Sequence, residues 1–497
     1  MINRKTFALP AILVTGIVIT ACGEQAQEPM AQEQAAQNAP PRETFNGYLA
    51  YPDDMEEMQA RIDERDLHGA TQAYLWSMAM APMFLWEASN LKVGDHLDLV
   101  TYVTPEEKRD ILTANATTPY AVGAVDLTKT GGMVEIVLPA GPVGGLVNDG
   151  QMRHVVDFGL AGPDQGAGGK YLILGPGVSE PEDHDADYVY RSKSNLLITG
   201  MRVLAGDEAE RQRIFESYKM SAPGEPSPTR VISIGDAEYR TYNARGMDYW
   251  VELHEHMQRE HFGPEDAMAL QFLKRLGIEQ GKPFEPDERQ TRILLEAEKI
   301  GFYQSVAMAA AREMDDGLKH TTFYEDTNWT NPLAVTAVYT HIDESGVMEL
   351  DLRTSWAHEA ITMSEGMTAE TTGVGSKYLA AYRDSDGNYM NSSYNYELVV
   401  PANPPAEQFW SLTAYNANTR SMVYTDRKDV SSRHDIHVNE DGSVPVYISS
   451  DPASMPHPQN TINVEGQGDI FFYFRVYAPT QDYFDKNWTL PDIRRIN

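Results

Sequence analysis

Cys22 is the only cysteine in 497 residues, and it follows Ile19-Thr20-Ala21 at the end of a short apolar segment. An aliphatic residue and two small ones before a cysteine form a lipobox, in which the thiol is the nucleophile that takes up a diacylglycerol. Arg4 and Lys5 supply a basic start, and Phe7 to Ile19 has the length of a signal-peptide core but is short for a membrane span. Cleavage is expected before Cys22, leaving a lipid-anchored protein of the bacterial cell envelope. The competing reading is an ordinary secretory signal with an incidental thiol. Several acyl chains hold a protein stably on a membrane where one is marginal. Gly23 stands where an inner-membrane retention aspartate would, which favours the outer membrane, facing the periplasm or the cell surface.

Other constellations carry less. His254-Glu255-His256 with His261 suggests zinc, but helical zinc ligands sit four apart so that both face one way. Two apart on a helix they diverge, and a solvated face is expected. Asp384-Ser385-Asp386-Gly387-Asn388 begins like a calcium loop and lacks the distal glutamate, so a hairpin turn is expected. His434 and His437 fall on opposite faces of a strand. There is no nucleophile elbow, P-loop or dinucleotide fingerprint; Gly175-Pro176-Gly177 ends a strand and reads as a turn. A Ser-His-Asp triad needs only to meet in space, and the sequence does not choose among its serines and acids. Neither a metal nor a cofactor is expected.

A looser set of polar and aromatic residues suits a ligand cleft. Asn115, Thr118 and Tyr120 precede a strand, and Asp157 interrupts the apolar run Val155 to Phe158. Trp329, Arg353, Trp356, His358 and Glu359 fall within about thirty residues, and Trp356 and His358 share a face if the segment is extended. Rings cover the apolar face of a sugar or other amphipathic ligand while amides and carboxylates match its hydroxyls. The structural alternative places the tryptophans in the core and pairs the polar groups with backbone.

The net charge is −33, and removing residues 1–21 takes away two positive charges and no negative ones, leaving −35. Such a surface repels phosphate backbones, so nucleic acid is not an expected partner. Hydrophobic residues at 42% are ample for cores that must hold without disulfides.

The elements that must position these residues follow from pattern. After the signal peptide (1–21), residues 22–43 are rich in Gln, Ala, Glu and Pro and read as a lipidated disordered tether. An N-terminal helix from Asp54 to Ala81, broken near Pro82, precedes short strands in a domain spanning 44–204. These are Leu97–Val103, Met133–Leu138, Val155–Phe158, Lys170–Leu174 and Asn195–Ile198. A helical segment covers 205–330, with one helix after Pro264 lined by Met268, Phe272, Leu273 and Leu276, and another from about Asp287. Residues 331–497 return to β pattern: Ala334–His341, Met348–Leu352, Tyr394–Val400, Phe409–Tyr415, Val444–Ile448 and Ile470–Tyr477. The fold class expected is α+β and β-rich: two antiparallel sandwich or jelly-roll-like domains with N-terminal and intervening helices.

Asn115 to Tyr120, Asp164 to Leu174 and Leu276 to Phe284 are similar to segments of the bacterial domain of unknown function numbered 1254. Gly373 to Leu379, Phe409 to Leu412, Thr419 to Met422, Asn439 to Ser443, Arg475 to Pro479 and Trp488 to Ile493 resemble its usual companion, numbered 1214. The resemblance implies a jelly-roll-like C-terminal domain and carries no accepted activity. The companion's usual Asn-Trp pair is replaced here by Asn460-Thr461-Ile462-Asn463.

Function is then expected to be binding of an extracytoplasmic ligand, a glycan or small amphipathic molecule, in a cleft between the β domains or on a sandwich face. The alternative is a hydrolase or lyase acting on a glycan, ester or small hydrophobic molecule, with acid-base work by carboxylates or His358.

Overall fold

The computed structural model describes residues 43–102, 109–116, 119–204, 206–335, 342, 345–373 and 375–496. Cys22, the signal segment, nearly all of the tether and Thr118 lie outside the described residues. The chain divides into a compact unit up to Arg61 and a second one from Ile62 onward. In the first, Thr44–Phe45 pairs with Tyr48–Leu49 through Asn46 and Gly47, both at positive φ as a tight hairpin turn needs. Asp54 then accepts from the Glu57 backbone and Glu57 from that of Asp53, a reciprocal cap on the helix that begins at Met55 and ends at Ser77.

In the second unit, two sheets form an N-terminal sandwich. The six-stranded sheet has the order Val231–Ser233, Leu99–Tyr102, Tyr120–Asp126, Leu196–Val203, Val143–Asp149, His154–Gly159. The four-stranded sheet runs Tyr188–Arg191, Gly169–Leu174, Met133–Leu138, Lys219–Ser221. Two of these strands lie beyond residue 204. Their inner faces share one core, with Val125, Val147, Leu197 and Met201 against Val134, Ile136, Tyr171 and Ile173. Among the described residues most pairs in these two sheets are antiparallel, and two short ones, Tyr188–Arg191 with Gly169–Leu174 and Val231–Ser233 with Leu99–Tyr102, are parallel.

A C-terminal sandwich repeats the arrangement. Ser376–Ala381, Ile470–Pro479, Ala406–Asn416 and Asp429–Ser431 form one sheet; Thr461–Asn463, Val444–Ser449, Asn395–Val400 and Arg494–Ile496 form the other. Phe472, Phe474 and Val476 of the first meet Leu398, Val446 and Ile448 of the second. The Asp384 segment is a turn, its carboxylate accepting from the backbone of Asp386 and Asn388 between the bridged Arg383 and Tyr389.

Between the sandwiches lies a helical layer. The outer face of the six-stranded sheet (Val100, Val122, Ile198) and that of the C-terminal sheet (Tyr378, Phe471, Tyr473) join the same apolar cluster as Tyr74, Phe84, Trp250, Leu294 and Trp356 from the helices. Helix Met55–Ser77 stops before Met80–Asn90, where Pro82 occupies the first turn, the place a missing N–H is harmless. Helix Glu288–Ala310 starts at the Asp287–Gln290 capping box and packs so closely that a Cβ at Gly301 would lie 2.4 Å from the Tyr74 ring. No helix among the described residues is long and apolar enough to cross a membrane.

Several expectations are corrected. Met348 to Leu352 is not a strand; Leu350–Glu359 is a helix. Pro332–Val335 is a 3-10 turn, and residues 336–341 lie outside the described residues. Met268 is 69% exposed, off the apolar face its spacing suggested. His256 is buried, stacked on Phe84, and not on a solvated face. His254 stacks on Phe284 and contacts the Lys282 carbonyl. Among the described residues no group of three or more His, Cys, Asp or Glu side chains is placed to hold a metal ion.

Candidate functional site

A cavity of about 800 Å³ opens between the two sandwiches at one end of the helical layer. Strand alternation decides which side chains reach it. Along Leu196–Val203 the odd partners Leu197, Met201 and Val203 enter the N-terminal core, so Ile198, Gly200 and Arg202 face the helical side. Along Ile470–Pro479, Phe472, Phe474 and Val476 enter the C-terminal core, which turns Phe471, Tyr473, Arg475 and Tyr477 outward; the last three line the cavity. Tyr120 and Tyr378 complete the facing walls.

The cavity's room depends on glycine. A Cβ at Gly144 or Gly200 would meet no atom within 4 Å, so both positions border open space. Gly145 differs: a Cβ there would lie 2.0 Å from the Phe158 ring.

Polar groups are held in place. The Arg475 guanidinium donates to the Tyr415 hydroxyl at 2.6 Å and the Thr113 carbonyl at 2.8 Å, and lies 5.0 Å from the centre of the Tyr378 ring. Arg202 donates to the Tyr120 hydroxyl at 2.9 Å. Asn115, buried behind the wall, binds both sides: its backbone N–H donates to Tyr120 and its side chain to Tyr477 at 2.5 Å. Asp157 accepts from the Gly366 backbone at 2.6 Å. Thr113 and Thr362 have φ of 40° and 75°, conformations a β-branched residue rarely adopts. Their carbonyls accept from Arg475 and from the Trp356 indole respectively.

Burial alone would push the Tyr378 phenol up. The guanidiniums of Arg202 and Arg475, with hydrogen bonds from Ser376 and Arg475, outweigh burial and hold it below the usual tyrosine value. The phenols of Tyr171, Tyr415 and Tyr473 do not share this: burial raises each of them.

The residues expected from sequence separate. Tyr120, Trp356 and Asp157 line the cavity, and Asn115 positions two of its tyrosines. Trp329 does not line it; it is buried in the C-terminal core with its indole N–H on the Pro491 carbonyl. Because Trp356 and His358 are on a helix, two apart, they diverge and share no face. His358 is fully buried against Ser305 and Phe302, away from the cavity, and desolvation holds it well below the usual histidine value. Glu359 is buried in an ion pair with Arg312 at 3.0 Å and accepts from Tyr382 and Tyr473, touching the wall only through Tyr473. Arg353 is buried in the helical layer, where desolvation lowers it to about 10, and does not reach the cavity. Reasoning from sequence missed Arg202, Tyr378, Arg475 and Tyr477. The signal lay in Phe472-Tyr473-Phe474-Arg475-Val476-Tyr477, where wholly apolar residues alternate with residues that carry a polar end.

The two walls come from separate stretches of chain, and each stretch matches a family. Both halves are similar to families of unknown function. The one described as Protein of unknown function (DUF1254) matches residues 95–221, and Protein of unknown function (DUF1214) matches residues 375–481. No curated protein matches the sequence. Among solved structures, the VPA0106 protein from Vibrio parahaemolyticus is similar over 87% of this chain and 100% of its own, at 16% identity and a TM-score of 0.51. That likeness supports the fold. An uncharacterised protein from Burkholderia cenocepacia overlaps 89% of this chain and 98% of its own, at 11% identity and a TM-score of 0.40. The cavity thus lies where the DUF1254-like region faces the DUF1214-like region.

Proposed function

We propose that the chain is an envelope lipoprotein whose large cavity binds a small amphipathic molecule with an anionic end. The observation that carries the ligand is a reversal of charge. The chain has a net charge of −33, yet the cavity wall holds Arg202, Arg211, Arg433 and Arg475 against Asp157, the single carboxylate among its described residues. Aromatic faces from Tyr120 and Phe409 cover apolar ligand surface, and guanidiniums pair with carboxylate or sulfonate oxygens. An acidic sugar and a small aromatic acid share this chemistry.

Anilinonaphthalene sulfonate, an amphipathic anion, is a direct probe. Its fluorescence should rise on binding to the intact chain, and Arg475→Met and Gly200→Leu should each weaken binding by roughly tenfold or more, one removing charge and the other room. Equal affinity of the wild type for the neutral analogue phenylnaphthylamine would refute the anionic preference. The anchor rests on the lipobox at Cys22. Cys22→Ser should abolish acyl labelling and release the protein from membranes; unchanged association without label would refute it.

Turnover of the same ligand is a second reading, favoured by one observation. Tyr378 faces the cavity with its phenol set beside two guanidiniums, an arrangement suited to proton transfer. Loss of turnover in Tyr378→Phe with binding retained would separate catalysis from binding.

A further inference from the structure

A second cavity, of about 460 Å³, opens at the end of the C-terminal sandwich. Alternation along Ser376–Ala381 sends Ser376 and Tyr378 to the large cavity and Lys377 the opposite way, toward the second cavity. Lys377 is 3% exposed, and its ammonium donates to the Met367 carbonyl at 2.8 Å. It has no ion-pair partner among the described residues; Glu370, exposed at the rim, is the one acid of the lining.

Two further groups of this wall are buried and open. The Thr321 hydroxyl and the Tyr483 hydroxyl, on side chains 0% and 3% exposed, have no hydrogen-bond partner among the described residues. Lys486, stacked over Phe323, adds a second ammonium at the mouth. A buried ammonium with no ion pair, opposed only by the exposed Glu370 at the rim, and two buried hydroxyls without partners are each unfavourable. Water would satisfy the hydroxyls but leave the charge.

We propose that this cavity is a binding site for a small oxyanion, a carboxylate or phosphate, with the Lys377 ammonium as counter-charge and the Thr321 and Tyr483 hydroxyls as donors. The site is independent of the large cavity and of the ligand proposed for it. Burial, opposed by Glu370, lowers the free amine to about 8, so it is still mainly charged at neutral pH, and a bound anion would raise it.

Calorimetric titration of the full chain with inorganic phosphate and with succinate tests this. At least one should bind at millimolar or lower concentration, with Lys377→Met weakening it by roughly tenfold or more and Lys377→Arg retaining it. Thr321→Val and Tyr483→Phe, which delete or replace one polar atom and preserve shape, should each weaken it by roughly threefold to tenfold, and they decide the matter if Lys377→Met fails to fold. Gly200→Leu should leave it unchanged. The proposal is overturned if neither anion binds, if binding survives the Thr321 and Tyr483 substitutions intact, or if Gly200→Leu abolishes it, which would place the anion in the large cavity.

Discussion

Arg475 is the cross-strand neighbour of Tyr378, and its guanidinium carbon lies 5.0 Å from the centre of the phenol ring. With Arg202 beyond, the pair holds the Tyr378 phenol below the ordinary tyrosine value. Ultraviolet difference spectra should therefore show one tyrosine ionising ahead of the rest, and the step should vanish in Tyr378→Phe. Because the folded pKa is depressed, the ionised form contributes stability in full above the unfolded value, and the contribution is lost as pH falls through the folded value.

Glu359 and Arg312 are both fully buried, and two tyrosine hydroxyls share the carboxylate. Removing one charge leaves the other without a partner, so Glu359→Met or Arg312→Met should each destabilise by about 3–5 kcal/mol. The double variant should lose less than the sum of the two. A double-mutant cycle by urea denaturation checks this, and strict additivity would refute the coupling.

His256 gives the protein an acid limit. Burial between Phe84 and its helix pushes it down to about 3, against a normal value near 6.5. The unfolded chain then binds a proton the folded chain refuses, so stability falls as pH drops from about 6.5 toward 3. His256→Gln, which cannot protonate, should flatten the pH dependence of the melting temperature in that window. Glu260, raised to about 7 by burial, acts with opposite sign between about 4.5 and 7, so the comparison must be with the wild type at each pH.

Gly145 and Gly200 lie on paired strands and should respond oppositely to the same change. Gly200→Ala projects into the cavity and should alter stability by less than about 1 kcal/mol, whereas Gly145→Ala drives a methyl into the Phe158 ring and should destabilise by more than about 2 kcal/mol. Thermal unfolding of the two variants measures the difference.

Strands with strict alternation and helices with caps were legible from sequence. Met133–Leu138 appears at its expected bounds, and the helix after Asp287 begins at the capping box. Leu350–Glu359 was not legible because it is buried from Arg353 to Glu359, all around. Such a helix has no polar stripe to betray its period, and Met348-Glu349-Leu350-Asp351-Leu352 alternates like a strand. That misassignment also joined Trp356 to His358. Sequence proximity grouped five residues near position 350, but the helix sends Trp356 to the cavity while His358 and Glu359 turn inward. Arg202 and Arg475 were missed because nothing local links them; the fold brings together residues from different families.

The shared helical layer has a consequence for biosynthesis. Its N-terminal side is covered by strands made early, from Leu99 to Val203, but Phe471 and Tyr473 on the far side belong to the last long strand of the chain. A growing chain that folds from its N-terminus thus keeps an apolar surface uncovered until its final segment is made. Truncation shortly before residue 470 should consequently yield a species that needs a holding chaperone, not a stable shorter protein.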